Sequence, residues 1–217
     1  MWDARRWLRK AAGSTAWVAV AALVAPAAQA KEDFQDVHAS QDARSAVAWV
    51  QRTRDAHGRP YAVVDKRAAH IYVFHADGRL AGHSAALLGS APGDHIVPGV
   101  GEHAQSGHVP ASERTTPAGR FDATPGENRS GEHVIWVDYD SAFAIHRLRP
   151  GFAYQARSGR LSATQAAGKR VSWGCVVVPV PFYREVVERV LGASHSVVYV
   201  LPETRTVQGF LRALEQR

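Results

Sequence analysis

The stretch "AHIYVFHADGRLAGHSAALLG", Ala69 to Gly89, decides the fold. Its first half is β-branched and aromatic, Asp77-Gly78 supplies a tight turn, and a second short apolar run follows, so residues 69–88 read as a β-hairpin. Outward from it the same texture recurs. "YAVVD" (61–65), "HVIWVD" (133–138), "AFAIH" (142–146) and "SVVYVL" (196–201) read as further short strands, and "TTPAGRF" (115–121) as a turn leading into one. Helical patterns are few. Gln41 to Ala56 places Ala43, Ala46, Val47 and Val50 on one face and ends before Gly58 and Pro60, as a helix packed on the domain or as an arm toward a partner. "PVPFYREVVERVLG" (179–192) carries proline at its start, glycine after its last turn, and Phe182, Val186 and Val190 on one face. "VQGFLRALEQR" (207–217) is a final helix weakened by Gly209. Residues 89–115 read as a long loop or several short pieces, and 147–169 as polar and irregular. Many short strands with few helices predict one mainly β domain over about 60–205.

At 217 residues, 46% of them apolar and 21% charged, the chain can bury a core and is not globally disordered. Residues 1–30 read as a secretory signal peptide. Arg5, Arg6, Arg9 and Lys10 precede the uncharged run Ala11–Ala25, and Ala28-Gln29-Ala30 forms a cleavage signal. The competing reading is a membrane anchor, but a span takes roughly 20 apolar residues, so no stable span is expected after cleavage. Arg5-Arg6 also opens the alternative of twin-arginine export. Four basic residues and one acidic residue in 1–30 account for three of the formal net +6, so the remainder is mildly basic. That balance suits an anionic surface such as a cell wall and does not argue for nucleic acid. The expected organisation is a signal peptide (1–30), a polar leader and N-terminal helix (31–59), a domain (60–205) and a C-terminal helix (206–217).

Cys175 is the only cysteine, so an exported chain would carry no internal disulfide. Inert burial, an intermolecular disulfide, metal ligation and nucleophilic use all remain open on count alone. Its setting, "RVSWGCVVVP" (170–179), puts the thiol between a polar loop and three strand-forming valines, beside a glycine that permits close backbone approach. A thiol with an ordinary pKa of about 8.5 needs a base to act as a nucleophile near neutrality. His146, which ends an apolar segment as Cys175 begins one, is the candidate. Only the fold can join two residues so far apart in sequence. The other histidines form no His-Glu-x-x-His pattern, so surface and loop roles are the default and neither metal nor cofactor is expected.

In order, "VVDKRAAHIYVFHADGRL", "ERTTPAGRF", "FAIHRL" and "RVSWGCVVVP" resemble the L,D-transpeptidase catalytic domain family over roughly residues 60–201. The resemblance implies a β-sandwich-like domain with a few short helices. It maps Cys175 onto the nucleophile, His146 onto the strand-end histidine, Ser172 and Gly174 onto the motif serine and glycine, and "TTPAGRF" onto the turn before the site. Three positions depart from the family pattern. Trp173 stands where most members have histidine, Val177 where arginine or asparagine is usual, and Arg147 where glycine often follows the first histidine. A longer interval between histidine and cysteine implies a larger loop.

The activity implied is that of an exported cysteine acyltransferase of the periplasm or cell wall. Cys175 would attack a peptidoglycan stem peptide, with His146 as base and backbone N–H groups around Gly174 and Cys175 stabilising the oxyanion. A second stem peptide or a protein lysine would resolve the thioester. Ser172 would orient the histidine or line the site, Arg147 and Trp173 would contact substrate, and Arg149 with Arg147 would meet substrate carboxylates. The alternatives are a cell-wall carboxypeptidase, peptidase or amidase that uses water, and a non-catalytic wall-binding module on the same fold.

Overall fold

A computed structural model describes Phe34, residues 37–151 and residues 153–216. The signal-peptide reading of 1–30 lies outside the described residues. The chain builds a mixed eight-stranded sheet from β1 (Tyr61–Asp65), β2 (His70–Phe74), β3 (Leu80–Ala85), β5 (Gly119–Glu127), β6 (His133–Asp138), β7 (Phe143–Arg147), β9 (Val176–Val178) and β10 (Ser196–Val200). Across the sheet the order is β3-β2-β1-β10-β5-β6-β7-β9, and a small parallel pair joins β4 (Leu88–Gly89) to β8 (Arg170–Ser172). The hairpin forms as its sequence dictates: β2 and β3 are antiparallel around Asp77-Gly78, with Gly78 at φ +87°. Mostly β with a few short helices is therefore the architecture.

The nine-residue strand β5 makes the sheet a sandwich. Its first half, Gly119–Ala123, pairs with β10, and its second half, Thr124–Glu127, pairs with β6. The two halves of the sheet thus share one strand and turn their inner faces toward each other. Ala62, Val64, Ile71 and Val198 from one half meet Ile135, Ile145, Val176 and Val178 from the other in a single buried cluster. Alternation along the strands selects these residues, because every second side chain points inward. The helical segment 180–190 covers one side of this core. It buries Tyr183, Val187 and Leu191, while Phe182, Val186 and Val190 pack only partly buried beside them. The apolar face is therefore set one residue later than the sequence spacing indicates, in a segment whose middle, Tyr183–Val187, is a π turn.

The opposite face of β1, β2 and β10 forms a second core with α1 (Gln41–Thr53) and the C-terminal helix (Val207–Glu215). Ser40 caps α1, its hydroxyl accepting from the Ala43 N–H at 3.0 Å. Residues 31–40 read as a polar leader, but Phe34 is fully buried, its ring edge-on to Tyr72 at 5.2 Å and Phe74 at 5.7 Å. Burying a phenylalanine contributes about 2–3 kcal/mol, enough to tie Phe34 to the domain. The other segments read as loops also contain ordered helices: α2 (Val100–Ser106) within 89–115, and α3 (Tyr154–Leu161) with a 3-10 turn at Ala166–Lys169 within 147–169. Among the described residues no helix is long and apolar enough to cross a membrane.

Candidate active site

Parallel strands β7 and β9 bring the two candidate residues together. The register opposes His146 to Val177, so Cys175, two residues earlier, is a diagonal neighbour on the same face. Both line one cavity of about 600 Å³. Val177 itself is fully buried against Leu87, Leu148 and Leu161, and its backbone exchanges hydrogen bonds with Leu87 at 2.8 and 2.9 Å. The departure at Val177 therefore alters the core beneath the site rather than the cavity wall.

The cysteine loop is held from three sides. Ser172 Oγ donates to the Cys175 carbonyl at 2.6 Å and accepts from the Gly174 N–H at 3.1 Å. Buried Thr116 donates to the Gly174 carbonyl at 2.7 Å while accepting from the Gly89 N–H at 2.8 Å. Gly174 adopts φ +129°, and a Cβ there would stand 2.8 Å from the Thr115 carbonyl oxygen. The threonine-proline turn thus grips the cysteine loop directly. Thr116 is a residue that sequence reasoning passed over, although it lay inside the quoted motif.

His146 is almost fully buried, and its Nδ1 lies 2.8 Å from the Arg147 carbonyl. A carbonyl only accepts, so Nδ1 carries the proton and Nε2 keeps its lone pair. Burial first, and then the charge of Arg149, pull the imidazole down to about 4, so it is neutral near pH 7. Burial pushes the Cys175 thiol up, while the guanidinium of Arg149 acts in the other direction. Cys175 as a residue is partly exposed, and its thiol donates to the Ala142 carbonyl at 3.5 Å. Ala142 sits at φ +55°, a conformation that costs an L residue about 1–2 kcal/mol. At rest the thiol and the imidazole are therefore both neutral near pH 7.

Other sequence-predicted residues fall differently. The hydroxyl of Ser172 bonds within its own turn and not to His146, whose ring is held by the Arg147 carbonyl. The Gly174 N–H is committed to Ser172 Oγ and so is not a free oxyanion donor. Arg147 pairs with Glu132 at 2.9 Å and is not part of the cavity wall. Arg149 does line the cavity, 2.7 Å from the other oxygen of Glu132. Trp173 is at the cavity, 46% exposed, with the Arg114 guanidinium 5.4 Å above its ring. The rest of the wall is shared between the segment read as a loop, with Ile96, Val100 and Glu113, and the strands β5, β6 and β7, with Glu127, Trp136 and Phe143. Among the described residues no cluster of three histidine, cysteine or acidic side chains is arranged to hold a metal.

No family model matches the chain, and no curated protein matches it. Solved structures do. The catalytic domain of the E. faecium L,D-transpeptidase, determined by NMR, is similar over 66% of this chain and 98% of that one, at 18% identity and a TM-score of 0.35. A crystal structure of the Enterococcus faecium L,D-transpeptidase is similar over 66% of this chain and 50% of that one, at 18% identity and a TM-score of 0.36. The L,D-transpeptidase from Mycobacterium smegmatis is similar over 65% of this chain and 58% of its own, at 16% identity and a TM-score of 0.37. The chain spans about half the length of the Enterococcus faecium crystal structure. These neighbours are L,D-transpeptidases, the family that the four sequence motifs resemble, and none of them assigns a role to a residue of this chain.

Proposed function

We propose that the protein is an exported cysteine acyltransferase that acts on peptidoglycan stem peptides. Residues 1–30 serve as its signal peptide and residues 60–205 as its catalytic domain. The observation that carries this reading is one cavity lined by both the sole thiol and an imidazole whose free nitrogen is a lone-pair base. In the proposed reaction Nε2 of His146 takes the thiol proton as Sγ attacks the carbonyl that precedes a terminal D-alanine. The tetrahedral oxyanion forms beside the Cys175 N–H, the backbone donor next to the sulfur once Gly174 is engaged elsewhere; one such donor contributes about 3 kcal/mol in comparable sites. The imidazolium returns its proton to the departing amine, D-alanine leaves, and a thioester remains on Cys175. An amine of a second stem peptide then resolves it into a cross-link.

Arg149, charged and at the cavity wall, is the proposed partner of a substrate carboxylate, in place of Arg147. Trp173 offers an exposed ring face beside the nucleophile. Water as acceptor would make the protein a carboxypeptidase, and digestion of a wall exposed to the protein separates the two. The expected result is new dimeric fragments joined between stem peptides. Shortened monomers without dimers would indicate hydrolysis, and an unchanged digest would favour a binding module.

A further inference from the structure

The cavity carries a second acid–base pair. Glu113 lines it, its side chain only 17% exposed, and Glu113 Oε2 lies 2.6 Å from His103 Nδ1. His103 sits in α2 and is 46% exposed, so the imidazole bridges the carboxylate to solvent. The segment that bears Glu113 runs along the cysteine loop: the Thr115 carbonyl abuts Gly174, Thr116 bonds to Gly174, and Arg114 covers Trp173. The cavity therefore has a guanidinium, Arg149, acting electrostatically on His146 and Cys175, and a carboxylate on the wall built by residues 113–116.

We infer that Glu113, positioned by His103, receives the ammonium group of the acyl acceptor and takes its first proton. The inference rests on the acyl-enzyme reading above and concerns its second half. Proton bookkeeping calls for such a group. An alkyl amine with a pKa near 10.4 arrives as R–NH3+. It must lose one proton to expose its lone pair and a second as the C–N bond forms and the C–S bond breaks. His146 can take the second and return it to the departing sulfur, which restores the thiol. The first has to leave the site, and Glu113 with His103 offers a route to water. Acylation and hydrolysis each need only one proton moved, which His146 handles. Glu127 also lines the cavity, but it is exposed and lies on β5, away from the segment that touches Gly174.

The test uses the purified protein with a synthetic tetrapeptide ending in a diamino acid and D-alanine, which serves as donor and, through its side-chain amine, as acceptor. The readout is the ratio of cross-linked dimer to hydrolysed tripeptide, which cancels any change in acylation. Glu113→Gln is expected to lower this ratio by on the order of tenfold to a hundredfold near neutral pH. His103→Ala, at an exposed position, is expected to lower it in the same direction. The deficit should shrink as pH is raised toward the amine's own pKa, because neutral amine then arrives from solution. A ratio within about twofold of the unsubstituted protein in both variants overturns the inference, as does a fall that higher pH does not restore. Absence of any acyl-enzyme in the unsubstituted protein would instead overturn the reading beneath it, and the inference with it; mass analysis of Cys175 tells these failures apart.

Discussion

Changing His146 to alanine is expected to slow acylation of Cys175 by about 10²–10⁴-fold. Burial keeps the thiol above its usual pKa, so little thiolate exists before attack, and the proton must be removed as the C–S bond forms. His146 is the proposed base: its Nδ1 is committed to the Arg147 carbonyl, which leaves the Nε2 lone pair to accept the proton. The sign of the pH dependence follows. With the imidazole lowered to about 4, acylation should be level between about pH 5 and 8 and fall below that as the base becomes protonated. Above that range it should rise as thiolate forms without help. In the His146→Ala protein the level region should disappear and the rate should climb with hydroxide throughout. Stopped-flow acylation by a carbapenem across pH measures both. An alanine variant with an unchanged rate and profile would remove His146 from its assigned role.

The second large effect lies one residue before the nucleophile. Gly174→Ala is expected to destabilise the fold by about 2–4 kcal/mol, from a backbone angle that L side chains rarely adopt and from contact with the Thr115 carbonyl. For a chain of this size that corresponds to a fall in Tm of about 5–15 °C. What remains folded should acylate far more slowly, because relief of the clash moves the Cys175 loop, and about 1 Å of misplacement can cost on the order of 10²-fold. Thermal melts and acylation rates on the same preparation check the two halves together. An unshifted melt with normal acylation would mean that the loop tolerates a side chain, and that its grip by Thr116 does not set the position of the sulfur.

The hairpin around Asp77-Gly78, the strands at 61–65 and 133–138, and the segment 180–190 were legible because each carries its own local signal: a turn dipeptide, β-branched runs, or a proline start and glycine stop. The shared cavity of His146 and Cys175 had no such signal. It depends on β7 and β9 lying side by side in parallel, a contact made across α3 and the small β4–β8 pair. Helices α2 and α3 escaped because their apolar residues are sparse. Between Val100 and Ser106 only Gly101 is buried, and between Tyr154 and Leu161 only Leu161 is. Ser172 matched a motif position, but its hydroxyl is engaged within its own turn by the Cys175 carbonyl and the Gly174 N–H, and a tertiary contact takes Arg147 to Glu132. Thr116 stood in a quoted motif, but only the folded geometry distinguishes a threonine that clamps a loop from one that faces water.

The proposed role of Cys175, a nucleophile in an accessible cavity activated by a neutral imidazole, is what the proposed function rests on. Its most direct test is intact-mass analysis of the purified protein after exposure to a carbapenem, followed by peptide mapping. The account predicts one covalent adduct per chain, located on Cys175. No adduct, or an adduct on any other residue, would contradict it.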